Sequence, residues 1–197
     1  MKEKRRKPVS QRKEEVFLII SQIIAEKGLS EVSTTEVAKR LGVSQPAIYK
    51  YFKSKDEMII YFLENLKEQL SDIIKKAKKE KDTEKRLRRI YTEHFKLLER
   101  TKILPRVVFS DVIHIGKKEK KEKLKEVVNM YREGIKEILQ EGIKKGEIKS
   151  IDPEVGARFF IGSILSTTLF WMLNNMEKSI TDETESLTEN LKKMLFK

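Results

Sequence analysis

Between Thr34 and Lys55 the chain sets hydroxyls (Thr34, Thr35, Ser44), a carboxamide (Gln45), phenols (Tyr49, Tyr51) and ammonium groups (Lys50, Lys55) within 22 residues. That mixture suits a nucleic-acid duplex. Gln presents the paired donor and acceptor that match an adenine edge, Ala47 offers a methyl-sized contact to thymine, and hydroxyls, phenols and ammonium groups reach phosphates. Any one of these residues alone is compatible with ordinary solvated surface, so the signal is the joint pattern.

The elements that must position them are two short helices. Thr34 or Thr35 is placed to cap the first, with Val37, Ala38 and Leu41 on one face. Gly42 follows the last apolar residue, where a left-handed backbone stops a helix, and Val43 plugs the elbow. Ser44 is a second cap, and Pro46 lies in the first turn of the next helix, where its missing N–H costs little. That helix is predicted over Gln45 to Phe52, with Ile48 and Phe52 inward: a helix-turn-helix. A preceding helix over Glu15 to Lys27, with Val16, Phe17, Ile20, Ile23 and Ile24 at helical spacing and Gly28 at its end, completes a three-helix head. Without it the two short helices bury too little apolar surface to be stable.

The run from Arg12 to Lys55, above all Leu41-Gly42-Val43-Ser44 followed by Ala47-Ile48-Tyr49-Lys50-Tyr51-Phe52-Lys53-Ser54-Lys55, resembles the DNA-binding domain of TetR/AcrR-type transcriptional regulators. The resemblance implies that Gln45, Pro46, Ala47 and Tyr49 enter the major groove. Thr34, Thr35, Ser44, Tyr51 and Lys55 would then hold phosphates, with Lys50 beside them. Gln45-Pro46 departs from the more usual small or charged pair. The family's mechanism is a ligand-responsive repressor that binds a palindromic operator as a homodimer and is released when a small apolar or amphipathic molecule tilts the connecting helix.

Charge agrees with this reading. Residues 1–55 hold 13 Lys and Arg against 6 Glu, whereas the remaining 142 hold 30 basic against 25 acidic residues, in a chain of net charge +12. Positive charge gathered on the head favours phosphate contact by counterion release, so affinity should fall steeply with salt. The same Lys and Glu content also suits surface ion-pair networks. Lys2, Lys4, Arg5, Arg6 and Lys7 read as a basic arm. They do not read as a signal peptide, since they lead into Gln11-Arg12-Lys13-Glu14-Glu15. Zero Cys excludes thiol nucleophiles and cysteine zinc sites and is compatible with a reducing cytoplasm. No enzyme motif, cofactor or metal is expected. The alternatives are a metal-binding or enzymatic site built from Asp111, His114 and His94, and a basic membrane-surface protein.

Residues 56–197 are expected to form a larger helical ligand-binding and dimerisation domain, about nine helices in the whole all-α chain and no strand. A connector over residues 56–79, capped by Asp56, carries Phe62, Leu66, Leu70 and Ile73 on one stripe. Further helices are predicted from Asp82 or Thr83, over Arg106 to Ile115, from Lys118 to Lys145, from Pro153 to Asn174 and from Asp182 to Phe196. Phe62, Leu66, Tyr91, His94, Phe95, Phe109, Tyr131, Phe170 and Trp171 are candidates to line an effector site, against the alternative that they are plain core. Phe159 to Leu173 carries no charge. At fifteen residues this run is short for a bilayer, so a dimer interface is expected, made of Phe160, Ile164, Leu165 and Leu169 with Leu187, Leu191 and Met194 of the last helix.

Overall fold

The computed structural model describes residues 9–102, 106–115 and 118–196, and the side chains of all of these except residues 9–13. The basic arm, Pro105 and Gly116 lie outside the described residues. Among the described residues nine α-helices run in order: α1 Val9–Lys27, α2 Thr34–Leu41, α3 Gln45–Tyr49, α4 Lys55–Lys78, α5 Thr83–Thr101, α6 Asp111–His114, α7 Lys118–Lys144, α8 Pro153–Leu173 and α9 Glu183–Leu195. Among the described residues the only β-type pairing is an isolated bridge between Ile148 and Phe196.

Caps set several boundaries, and two differ from expectation. Ser33, not Thr34 or Thr35, caps α2, its hydroxyl accepting from Glu36 N at 3.2 Å. Ser54, not Asp56, caps α4, accepting from Glu57 N at 3.1 Å. In both cases the serine backbone is extended, which aims its oxygen at the free N–H groups of the first turn. Asp82 caps α5, and Asp152, followed by Pro153, caps α8. α3 stops at Tyr49, short of Phe52, which turns inward and is buried.

The head packs around Phe17, Ile20, Ile23, Ile24, Val37 and Ile48, all buried. The connector is fused to it by two ring contacts: Phe17 stacks on Phe62 at 5.2 Å and Phe52 tilts against Tyr61 at 5.1 Å. α4 then runs along α7. Their approach is close because Gly134 carries no side chain where a Cβ would stand 2.7 Å from Ile74 Cγ2. At the head end of this contact Lys120, nearly buried, donates to Asp56 Oδ1 at 2.7 Å, tying the first turn of α4 to the first turn of α7.

Candidate DNA interface and effector cavity

The helix-turn-helix is built as a tight elbow. Gly42 has φ 64°, and the N–H groups of Gly42 and Val43 return to carbonyls of α2, the Val43 N–H to Ala38 O at 3.1 Å. Ser44 follows at the cap position of α3, but its hydroxyl makes no capping bond. Buried Ile48 pins α3 to the head, which leaves Thr35, Ser44, Gln45, Pro46, Tyr49, Lys50 and Tyr51 exposed on one surface and Ala47 half-buried beside them.

Three of the ten expected contact residues, Thr34, Gln45 and Lys55, make side-chain bonds within the fold. Thr34 is buried, and its hydroxyl accepts from Gln45 Nε2 at 3.3 Å, so it orients Gln45 rather than standing open. Lys55 Nζ donates to the Ser30 carbonyl. Behind the surface, Arg40 binds both Glu26 and Glu36, and these bonds hold both carboxyls below the usual range while raising the guanidinium further. Arg40 therefore clamps α2 onto the end of α1 with its charge already balanced.

A cavity of about 110 Å³ lies among α4, α5, α7 and α8, walled by Leu66 and Leu70 of α4, Leu124, Val127 and Tyr131 of α7, and Ile161, Ile164 and Leu165 of α8. His94 of α5 and Thr168 of α8, with Tyr131, bring the polar side chains to its lining. The ring is buried, its Nδ1 stands 2.8 Å from the Tyr131 hydroxyl, and its Nε2 has no partner among the described residues. Burial pushes the imidazole pKa down to about 4, so the ring is neutral at pH 7, and burial also drives the Tyr131 phenol far upward.

Of the effector-site residues named from sequence, Leu66, His94 and Tyr131 meet at this cavity, and the others do not. Phe62 is committed to Phe17. Tyr91 stacks on Phe160 at 4.3 Å and on Phe95 at 5.9 Å, making core. Phe109 and Phe170 are exposed, at 69% and 62%, and Trp171 caps the chain end of α8 by donating to Lys178 O at 2.7 Å. Val108, Val128 and Thr168 also line the cavity, unforeseen. Val108 sits in an irregular turn, where no periodicity marks an inward residue.

The expected interface residues also divide. Phe160 and Ile164 are buried within the chain's own core and Leu165 faces the cavity, because α8 presents that side to α5 and α7. Leu191 is nearly buried and Leu187 half-buried, whereas Leu169 and Met194 are open. Phe159, Phe170 and Leu173 extend the exposed stripe along α8, and the space above Gly162 is empty.

The proposed Asp111, His114 and His94 site does not form. His94 sits on Tyr131, whereas His114 donates from Nε2 to Val108 O at 2.6 Å, and the described residues contain no group of three or more His, Asp or Glu placed for a metal. α8 is 21 residues long, since it includes Pro153 to Arg158 ahead of the uncharged run, and it is the one described helix long and apolar enough to cross a membrane. Its Ala157, Phe160, Ile164 and Thr168 nevertheless pack into the chain's own core.

Comparison with known proteins adds the family. Residues 21–62 match the model for bacterial regulatory proteins of the TetR family, and residues 62–194 match the model for the C-terminal region of YsiA-like proteins. The fatty acid metabolism regulator protein of Bacillus subtilis (strain 168) is 29% identical over 172 residues, 86% of this chain and 88% of the relative. The nucleoid occlusion factor SlmA of Vibrio atlanticus is 25% identical over 158 residues, 79% of this chain and 81% of the relative. The crystal structure of the transcriptional regulator FadR from Bacillus subtilis in complex with stearoyl-CoA superposes with a TM-score of 0.76 at 25% identity, covering 89% of this chain and 95% of FadR. The helix-turn-helix surface, the cavity behind its connector and these matches together make this chain a member of the TetR family of ligand-responsive, DNA-binding transcriptional regulators.

Proposed function

We propose that the chain acts in the cytoplasm as a homodimeric repressor, not an enzyme, whose paired α3 helices read a palindromic operator and let go when the apolar chain of an amphipathic compound of the acyl-CoA type enters the cavity. Residues 1–55 form the reading head and residues 56–197 the effector and dimer domain. One observation carries the mechanism: Leu66 and Leu70, which wall the cavity, belong to the helix that begins six residues after α3 ends.

A formed ligand site occupies about 300–1,000 Å³. At about 110 Å³ the cavity is smaller than that, so a long chain enters only by parting α4, α7 and α8. Because Phe17–Phe62 and Phe52–Tyr61 fuse α4 to the head, moving α4 moves α3. The effector shifts the equilibrium to the extent that it binds the parted state better. Two α3 helices one turn of duplex apart, roughly 34–36 Å, fit successive major grooves, and a displaced pair does not.

The exposed stripe of Phe159, Leu169, Phe170 and Leu173 beside Met194 supports the dimer, since such a contiguous apolar patch marks an interaction surface and Gly162 leaves room for a partner helix. Thr35, Ser44, Gln45, Pro46, Ala47, Tyr49, Lys50 and Tyr51 are the DNA-facing set, with Thr34 aligning Gln45. The acyl class is supported by the relative that regulates fatty acid metabolism and by the stearoyl-CoA bound to FadR. The test selects genomic fragments on the immobilised chain and then titrates the recovered operator with hexadecanoyl-CoA. Retention of one palindromic fragment and its release by the acyl-CoA is expected; selection of unrelated sequences, or no release, overturns the reading.

A further inference from the structure

Of the polar residues at the mostly apolar cavity, His94, Tyr131 and Thr168, only His94 has a side-chain atom without a partner among the described residues. A buried donor without a partner costs about 1–3 kcal/mol, so native proteins rarely leave one unless something compensates. The hydrogen bonds around the cavity determine which group is unmet. Thr168 spends its proton on Ile164 O at 2.6 Å, leaving only acceptor lone pairs. If Tyr131 O–H donates to His94 Nδ1, at 2.8 Å, both of those atoms are satisfied and the imidazole proton sits on Nε2. The other tautomer leaves two groups unmet, the Tyr131 proton and the Nε2 lone pair. The first arrangement is therefore favoured, and Nε2–H is the unmet donor among the described residues around the cavity.

Water is a poor occupant, because a buried water needs two to four polar partners and the remaining walls are mostly leucine, isoleucine and valine. A charged group held within these walls is a poorer one. No Lys or Arg lines the cavity, and an unpaired buried carboxylate loses its hydration without return. What fits is an apolar body with one uncharged acceptor.

Building on the acyl-effector reading above, we propose that His94 Nε2–H is the specificity-determining donor of the effector site and that it binds the neutral carbonyl oxygen of an acyl ester, thioester or amide. The carbonyl oxygen accepts, the imidazole stays neutral, and Tyr131 acts as a positioning residue that fixes the tautomer. The alkyl chain takes the space opened between α4 and α8.

The experiment compares hexadecanoyl-CoA with its S-hexadecyl thioether, which lacks only the carbonyl oxygen, by calorimetric titration of the full chain, and repeats both with His94→Phe and His94→Gln. The unaltered chain is expected to prefer the thioester about tenfold, the worth of one neutral hydrogen bond to a buried donor. His94→Phe should abolish that preference and His94→Gln, which keeps an N–H, should retain part of it. Equal binding of the two ligands by the unaltered chain, or a preference that survives in His94→Phe, overturns the assignment while leaving the acyl reading standing. Failure of both ligands to bind overturns both. The primary comparison needs no variant, so a misfolded substitution cannot obscure it.

Discussion

Gly134→Ala tests the contact on which the coupling of α4 to the body depends. Gly134 is buried in the interior of α7, where glycine costs roughly 0.8–1 kcal/mol relative to alanine, so an unopposed substitution would stabilise the chain by about that much. It is opposed. The new methyl would lie 2.7 Å from Ile74 Cγ2 and 2.9 Å from Ile74 Cγ1, and a β-branched side chain in a helix has one strongly preferred rotamer, so Ile74 cannot turn aside. The helices must separate instead, at an overpacking cost of about 1–3 kcal/mol. The net expectation is a loss of about 1 kcal/mol, a fall in melting temperature of about 2–4 °C for a chain of this size. Scanning calorimetry on Gly134→Ala, Ile74→Ala and the double variant measures it. The double variant should lose about 1–3 kcal/mol less than the two single losses combined, because removing the isoleucine makes room for the methyl. A raised melting temperature for Gly134→Ala with no coupling to Ile74 would refute the close approach of α4 and α7. Since the parted helices imitate the effector-bound arrangement, operator affinity should fall as well.

Three further outcomes follow from the geometry. Tyr49 is 50% exposed on the surface proposed to face DNA, so Tyr49→Ala should weaken operator binding at least about tenfold by fluorescence anisotropy while changing stability by less than about 0.5 kcal/mol; unchanged affinity removes Tyr49 from the interface. Leu169, 47% exposed in the apolar stripe, becomes a charge in Leu169→Glu, and sedimentation should then find monomers; a persistent dimer places the interface elsewhere. His94 is held neutral in the fold, with its pKa lowered to about 4 against an unfolded value near 6.5. The unfolded chain thus binds the extra proton first, so stability present above pH 6.5 is lost as pH falls toward 4. Between pH 7 and pH 5 the His94 contribution is about 2 kcal/mol by urea unfolding. His94→Gln should lack that component, and identical pH slopes for the two chains would contradict the burial of a neutral ring.

The all-helical architecture was legible because its punctuation is chemical. Gly42, Asp82 and the Asp152-Pro153 pair mark ends that the backbone then adopts. The caps at Ser33 and Ser54 are less legible, since Thr34 and Asp56 close by are also capping types and the extended backbone at each serine decides the position. α8 was harder for a different reason. A helix apolar on every side has no pattern to say which face looks inward, so the sequence reading assigns Phe160 to the dimer interface, whereas the fold buries Phe160 in the chain's own core and exposes Phe159. The cavity combines four helices that are distant in sequence with Val108 from an irregular turn. His94 was visible as an inward histidine, but its unmet nitrogen depends on where Tyr131 falls, 37 residues away.

The central claim, that an effector between α4, α7 and α8 drives the two reading heads out of register, can be measured as a distance. The chain has no cysteine, so Lys39→Cys, on the exposed side of α2, gives a single spin-label site per protomer. Pulsed electron–electron resonance on the labelled dimer should give one narrow distance distribution with operator bound and a displaced distribution once hexadecanoyl-CoA is added. The same distribution in both states, with the acyl-CoA shown to be bound, would contradict the account.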